Sequence, residues 1–418
     1  MEDVWTWVTI IAFLILPFSA ILIDAMAAFL ARKKRYVYSG ITNDDFTLLV
    51  PIYGNIKYLE NVDFLSHYGV KVVLCTTGDE SQEFYDELQK LADKYAFQIF
   101  KDAPMPKEKV VDASKKRSTS GTTRDRLIRK ALTLVVTTKY VVPIDADSTA
   151  SQPIGSMVGE LAFHGWDIAS VRLVLSNRDE SIITKLQYHE YNQTMQLRYI
   201  APWMLSGACH VARTEVLLEI MNNHSLFFQG NDMEIGLIAV TRGYKVGHIP
   251  FEVATSVPAK MKGFFRQRLA WSGGEFRLFI TNFKFVKIHP LWWIYGGILT
   301  ILLFPFRWLQ LFQPTILAIF IVYCLLVFFL HYKTRDRWIL LMPFYDMCSS
   351  LIISPLGIIW YFKTVIKEKH FGYIRPYRND SVEKKEPIDT IVPPKFPRPK
   401  KVITNVKKVE PEIPASLK

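Results

Sequence analysis

Asp145 and Asp147 stand one residue apart at the end of a β-branched run, YVVPIDADSTA over residues 140–150. Such a run sets two carboxylates at the carboxyl end of a strand. Ligands of α/β sheets bind outside that end, and paired carboxylates can hold a hard divalent cation that also ligates phosphate oxygens. The short motif is common by chance, and a capped turn is its plain structural alternative. Three further segments follow in order, LSGACHVAR over 205–213, QGNDME over 229–234 and RQRLAW over 266–271. All three precede a return of strongly apolar sequence.

An α/β domain has to position these residues. Between Tyr36 and about Pro290 the apolar runs are short, β-branched and separated by helical patterns, which is the alternation of strands and helices. Strands are predicted over 46–51, 70–75, 97–100, 140–144 and 168–175, with amphipathic helices over 56–67, 81–95 and 124–136. The order of strands in the sheet does not follow from the pattern. For Asp232, capping the N-terminus of a helix over 233–242 is the plain structural alternative, compatible with a chemical role.

The chain of 418 residues is 50% hydrophobic, 14% aromatic and only 22% charged, with a mean hydropathy of +0.13. That is too apolar for an ordinary soluble enzyme of this length and excludes a wholly disordered chain. Residues 4–31 are almost continuously apolar, with Asp24 the one charged residue, long enough for the roughly 20 residues that cross a bilayer core. Arg32, Lys33, Lys34 and Arg35 follow, which sets that end in the cytoplasm and the N-terminus outside. A cleaved signal peptide would carry its charges before the run, where Met1, Glu2 and Asp3 stand.

Apolar sequence resumes over 291–311, 316–332 and 338–366. Pro343, Asp346 and Pro355 interrupt the last stretch. Such breaks survive in lipid only where backbone groups find protein or water, so a broken, hairpin-like or interfacial segment is expected, returning the tail to the cytoplasm. Arg307 and Asp346 are expected to face other helices or a polar path; for Arg307, snorkelling to the interface is the alternative. Residues 366–418 hold 13 Lys and Arg against 7 Asp and Glu, half of the net charge of +12. The charge is local, so it is no nucleic-acid footprint, and the Lys- and Pro-rich sequence after Arg378 reads as a disordered, membrane-touching tail. Cys75, Cys209, Cys324 and Cys348 show no CxxC spacing, implying neither zinc nor a disulfide framework and suiting a reducing cytoplasm. The expected organisation is a transmembrane helix and basic stop over 1–35, a catalytic domain with interface helices over 36–290, a membrane region over 291–366 and a tail over 367–418.

The order of an Asp-x-Asp, a Ser-Gly step, an acidic motif and a Gln-x-x-x-Trp, bracketed by apolar spans, resembles the membrane-integrated family 2 glycosyltransferases, among them the cellulose, chitin and hyaluronan synthases. The resemblance covers roughly 46–271 and the membrane plan. It implies a GT-A-like α/β domain on the cytoplasmic face of a multi-pass plasma-membrane protein. It further implies a nucleotide-sugar donor, Mg²⁺ or Mn²⁺, surrounding membrane lipids, and a glycan or lipid-linked acceptor.

The family's Pro-x-Tyr-Asn-Glu resembles Pro51-Ile52-Tyr53-Gly54-Asn55, which implies Tyr53 beside the nucleotide base and puts Asn55 where the family has Glu. Its Asp-Asp-Gly is Thr76-Thr77-Gly78 here, so base recognition passes to Thr77 or to Asp79; both are also ordinary turn residues. Its Gly-Lys-Arg-Asp-Ala segment resembles residues 121–126, with Arg124 and Asp125 in place and no matching lysine. Arg124 or Arg126 then supplies the charge, unless the segment is only a solvated helix start. Asp147 matches the metal-binding aspartate and Asp145 the residue supporting nucleotide or metal. Ser206 and Gly207 fall on the acceptor side.

Asp232 matches the general base, a carboxylate beside the incoming hydroxyl of an inverting transfer, and Asn231 removes the like charge that the family's Glu supplies. Gln267 and Arg268 are assigned to the donor and Trp271 to an acceptor-sugar platform, with a membrane-interface anchor as the alternative for Trp271. Ala270 replaces the family's arginine. Arg277, seven residues on, lies near the same helical face and is a candidate to reach the diphosphate instead.

The enzyme reading is inverting transfer of a sugar, from a UDP-sugar, to a growing polysaccharide exported by the same chain. A single transfer to a membrane lipid is the rival, separated by product length. A catalytically silent membrane scaffold is the third reading, favoured by Ala270, Asn231 and the absent lysine and opposed by Asp145, Asp147, Asp232 and Gln267.

Overall fold

The computed structural model describes residues 16–33, 36–103, 120–282, 314–331 and 336–373, together with Val4, Thr6 and Trp7. The described residues all fall in one compact unit. The expected apolar stretch 291–311 with Arg307, and the tail, lie outside the described residues.

Eight strands form one mixed sheet: β1 (Phe46–Pro51), β2 (Val72–Thr76), β3 (Gln98–Lys101), β4 (Tyr140–Pro143), β5 (Thr149–Ala150), β6 (Ile168–Leu175), β7 (His210–Arg213) and β8 (Val246–Thr255), in the order β3-β2-β1-β4-β7-β6-β8-β5. The first three pair in parallel, and β4 returns to pair in parallel on the other side of β1. That reversal makes a crevice outside the carboxyl ends of β1 and β4, the place where open α/β sheets take ligands. All six residues of β1 are buried, as a central parallel strand covered on both faces requires. Successive residues feed opposite cores: Leu48, Val50, Leu74 and Val142 on one face, Leu49, Val73 and Val141 on the other.

The helices are α1 (Leu16–Lys33), α2 (Val62–Ser66), α3 (Gln82–Tyr95), α4 (Ser120–Leu134), α5 (Ile154–Phe163), α6 (Ile182–Leu197), α7 (Thr214–Asn223), α8 (Asn231–Thr241), α9 (Met261–Thr281), α10 (Pro314–His331), α11 (Met342–Cys348) and α12 (Ser354–Glu368). The helix expected over 56–67 is instead a 3₁₀ turn at Ile56–Tyr58 followed by α2. Glu60 and Asn61 between them give their N–H groups to the Ala146 carbonyl, at 2.9 and 3.2 Å, so the break is held by the aspartate loop. β2 begins two residues later than expected because Gly69–Lys71 forms a 3₁₀ turn. The strands β5, β7 and β8 were not expected from periodicity; β7 is short and β8 contains Gly247, His248 and Pro250.

The segment 338–366, expected to be broken, hairpin-like or interfacial, does not fold back as a hairpin. Arg337–Glu368 is one helical run of 32 residues that passes from 3₁₀ through α11 and a π turn at Ser349–Ile353 into α12. Ser354 N–H reaches back to the Ser349 carbonyl, and this wider turn admits Pro355, which has no N–H and would clash with a regular preceding turn. It is the one helix among the described residues long and apolar enough, by length and composition, to cross a membrane; Phe320–Phe329 within α10 is a shorter apolar stretch. Asp346 accepts a hydrogen bond from Tyr323 of α10 at 3.2 Å, facing another helix.

Candidate active site

The aspartate loop leaves β4 at Pro143, and its backbone is fastened on two sides. Asp145 N–H donates to the Ala208 carbonyl at 2.9 Å. The buried Asn61 amide donates to the carbonyls of Asp145 and Ser148, at 3.1 and 2.6 Å. The side chain of Asp147 accepts from Ser148 Oγ at 3.2 Å and from Ser256 Oγ, just beyond β8, at 2.8 Å. No part of this turn is closed by the side chain of Asp145, which points instead at Arg124.

Arg124 joins the two halves of the site. Its Nε donates to Asp145 Oδ1 at 2.7 Å, Nη1 donates to Asp125 Oδ1 at 3.1 Å, and Nη2 donates to the Gly207 carbonyl. The N–H of Gly207 donates to Asp232 Oδ2 at 2.9 Å. One glycine is thus held at its carbonyl from the aspartate-pair side and at its N–H by the lone aspartate. Ser206 is buried, its carbonyl meeting the His210 ring at 3.1 Å. Asp232 is not the N-cap that its structural alternative would make it. Gly230, at φ +83°, caps α8, and Asp232 is the second residue of the helix, its carboxylate free of its own backbone and turned to Gly207.

The β1 and β2 ends lie beside this loop. Pro51 is buried, Tyr53 is half-buried, and the Asn55 side chain accepts from Lys57 N–H at 2.9 Å, capping the 3₁₀ turn. Glu80, which the sequence did not single out, ties both ends together: it accepts from Gly54 N–H at 3.0 Å and from the Thr77 hydroxyl. Asp79 is exposed on the same turn.

Gln267, Arg268 and Trp271 share α9, but Arg268 does not face the aspartate pair. It is buried, donating to Glu190, to Gln187 at 3.3 Å, to Tyr345 at 3.2 Å and to Gln267 Oε1 at 2.9 Å, with the Trp271 ring 4.3 Å from its guanidinium carbon. The donor contact expected of Arg268 is therefore replaced by a junction of α6, α9 and α11. Nor does Arg277 reach the cleft. It shares the face of Ala270, as helical spacing requires, but that face is buried, and Arg277 pairs with Glu234 at 2.6 Å. The same pair removes Glu234, fully buried, as a substitute base. Trp271 is 39% exposed, open enough to serve as a platform.

Residues 140–332 match the family model described as "Glycosyl transferase family group 2". Over this region the chain is similar to family 2 glycosyltransferases. Curated relatives of the chain include an N-acetylglucosaminyltransferase of Bradyrhizobium diazoefficiens (strain JCM 10833 / BCRC 13528 / IAM 13628 / NBRC 14792 / USDA 110), 25% identical over 152 residues, 33% of this chain and 31% of that protein. One of Rhizobium meliloti (strain 1021) is 26% identical over 153 residues, 33% of this chain and 36% of that protein. The chain spans about a third of the length of the curated relatives it matches. Among solved structures, GalNAc-T7 with UDP, GalNAc and Mn2+ is similar over 50% of this chain and 43% of that chain, with 9% identity and a TM-score of 0.35.

In the matched region and the strands before it, charge is unevenly shared. Asp125, Asp145 and Asp232 act on Arg124, Asp232 also acts on Arg198, and Asp147 adds a further carboxylate beside Asp145. Burial raises the carboxyls of Asp125 and Asp145, and Arg124 opposes that rise without cancelling it; the Asp145 side chain, 36% exposed, keeps its ion pair with Arg124 at 2.7 Å. Burial works against the charge on Arg124, and Asp145 and Asp125 outweigh it, raising its pKa. Arg198 is buried beside Val171 O, at 2.6 Å, and burial brings it down to about 10 even though Asp232 pulls it up. His210, buried next to Arg124, is brought down to about 4, first by burial and then by that charge. Ser256, Asn61, Glu80 and Arg198 are the site residues that local sequence did not reveal. Each arrives from a different element, and only the acidic residue near 79 carried a local hint.

Proposed function

We propose that the chain transfers a sugar, with inversion, from a nucleoside-diphosphate donor to an acceptor hydroxyl, in a GT-A-like domain at the cytoplasmic face of the plasma membrane. The observation that carries this reading is the chain of contacts Asp145–Arg124–Gly207–Asp232, which sets a carboxylate pair and a separate carboxylate on opposite sides of one glycine at the sheet's ligand crevice. Asp232 takes the proton of the incoming hydroxyl, and Trp271 stacks on the acceptor. Arg124 orients the donor side, while Tyr53, Asn55 and Thr77 line the base end and Gln267 the sugar end.

Asp147 and Asp145 fit a divalent cation. Among the described residues no three His, Cys, Asp or Glu side chains converge; these two carboxylates would hold the ion, with phosphate oxygens and water as its other ligands, a donor set that would suit Mg²⁺ or Mn²⁺. When bound, the cation neutralises charge on the departing diphosphate. The anionic excess of the crevice supports the same need.

UDP-N-acetylglucosamine is the first donor to test, because the relatives bear that activity in their name. UDP release should require Mn²⁺ or Mg²⁺ and cease in chelator. Asp232→Asn should keep donor binding and lose transfer by about 10²–10⁴-fold, the usual range for a general base. Transfer at the parental rate by a folded Asp232→Asn protein would overturn the assignment. The acceptor is a growing exported polysaccharide, read from Trp271 on α9 beside the apolar run of α11 and α12; long products at low enzyme concentration are expected. A lipid acceptor is the second reading, supported by the single helix of spanning length among the described residues, and it predicts one addition per acceptor. Protease added to intact cells should spare a tag after Lys418, since the tail is read as cytoplasmic.

A further inference from the structure

Arg277 is among the largest fully buried side chains of the protein, and nothing in the transfer chemistry above uses it. Its guanidinium gathers three separate segments. Nη2 donates to Glu234 Oε2 at 2.6 Å and to the Gln229 carbonyl at 3.2 Å. Nη1 donates to Ser225 Oγ at 2.7 Å and to the carbonyl of Gly372 at 3.0 Å. Glu234 in turn accepts from Ser225 N–H at 2.6 Å and Ser225 Oγ at 2.8 Å. Asp232 lies between these fixed points, two residues from Glu234 and three from Gln229.

The backbone around Asp232 also rests directly on α9. A methyl group on Gly274 would stand 2.4 Å from the Gln229 carbonyl, and one on Gly230 would stand 3.1 Å from the Gly274 carbonyl carbon. One residue earlier on the same helix, Gly273 touches Gly357 of α12, where a methyl group would meet the Gly357 carbonyl at 2.6 Å. The fourth partner, Gly372, belongs to a strap over residues 371–373 that follows α12. Tyr361 of α12 holds the strap by donating to the Phe371 carbonyl at 2.8 Å. Gly372 has φ +77°, and a methyl group there would meet Phe227 at 2.6 Å and Arg277 Cδ at 2.8 Å.

We propose that Arg277 is a positioning residue for the Asp232 carboxylate, and that the strap after the apolar run is a working part of the acceptor side. The reasoning is geometric. Asp232 meets its partner Gly207 through one hydrogen bond, so the direction of its carboxylate is set by where α8 begins. The start of α8 is set by Gln229, Ser225 and Glu234, and all three are held by one guanidinium whose remaining contact is the strap. A buried pair of this kind is fixed in place, because moving either charge leaves the other unpaired in the interior. The apolar helices thereby reach the catalytic carboxylate without touching substrate. The kinetic part of this inference rests on the reading of Asp232 as the base; the structural part does not.

The test uses the full chain and a variant outside the site. Gly372→Ala pushes a methyl group against Arg277, whereas Gly165→Ala carries a similar positive φ, +62°, with nothing within 4 Å, and controls for backbone strain alone. Amide hydrogen exchange at Gly207 reports the bond to Asp232. Gly372→Ala and Arg277→Met should speed exchange at Gly207 by about tenfold or more, with the amides of Val73 and Leu74 in β2 unchanged. Arg277→Lys should recover part of the protection, and Gly165→Ala should leave it as in the parent. With UDP-N-acetylglucosamine and Mn²⁺, kcat should fall in Gly372→Ala by about tenfold while the donor KM stays within about twofold. Unchanged Gly207 exchange in Gly372→Ala would overturn the proposal, as would an equal loss of protection at Val73 and Leu74. If the parent protein transfers nothing, the reading of the activity fails, and the exchange arm still decides the role of Arg277.

Discussion

The two halves of the crevice are held by different physics. On the donor side, Asp145, Asp147, Thr77 and Tyr53 sit just past the ends of parallel strands; their loops are fixed by hydrogen bonds from Asn61, Ser256, Ser148 and Gly54, and the ion pair of Arg124 with Asp145 leaves the Asp145 side chain 36% exposed. On the acceptor side, Asp232 and Trp271 ride on helices fixed by buried ion pairs, Glu234 with Arg277 and Glu190 with Arg268, and by glycine contacts too close for any side chain. Strand ends leave carboxylates open to ligands without loss of fold stability. Helices that carry a reacting group beside an apolar run need deep anchors, and removing one partner of such an anchor exposes an unpaired charge to the interior.

Breaking one anchor on each side should separate the halves most sharply. Glu234→Ala leaves Arg277 unpaired at a position with no exposure and should cost about 3–5 kcal/mol in urea unfolding. Asp147→Asn keeps both hydroxyl neighbours and should leave stability nearly unchanged while abolishing cation-dependent nucleotide binding, measured by calorimetry with UDP and Mn²⁺. Equal stability losses in the two variants would erase the distinction.

Acid sharpens the comparison at intermediate size. His210 is buried with its value brought down to about 4, below the ordinary value of about 6.5, so the fold favours its neutral form. Its contribution is complete above about pH 6.5 and declines as the pH falls toward 4, by on the order of 3 kcal/mol in total. Glu234 follows at lower pH. Burial would raise its carboxyl, but Arg277, His224 and Ser225 outweigh burial and hold it below the ordinary range. Its contribution is present above the ordinary carboxylate value and is lost as the pH falls through the depressed one. Urea midpoints against pH should therefore show two declines, and His210→Asn should flatten the one below pH 6.5.

The smallest effect belongs to the surface of β6 and β8. Arg172 and Glu252 pair at 3.3 Å with about half of each side chain exposed. Arg172→Ala should change stability by less than about 1 kcal/mol, because exposed pairs gain little over their hydration. A larger change in the urea midpoint would show that the β6–β8 pairing, with its bulge at Val171 and Arg172, depends on more than its ladder.

The sequence by itself determined the parts whose signal is local. β1, β4 and β6 are apolar, β-branched runs that read as strands because both faces must be covered, and Asp145 and Asp147 are tied to the end of β4 by chain connectivity alone. Tertiary structure decided the rest. His210–Arg213 is too short and Val246–Thr255 too interrupted to announce strands, yet antiparallel pairing of the first with β4 brings Gly207 to Arg124, and the end of the second brings Ser256 to Asp147. Helical spacing correctly put Arg277 on the face of Ala270. Which way that face turns depends on Glu234, 43 residues earlier, and on Gly357 and Gly372, 80 and 95 residues later. A short window of residues carries periodicity, but the partner of a buried charge is set by how the elements pack, and here the packing turned the arginine away from the cleft and toward the helix that carries Asp232.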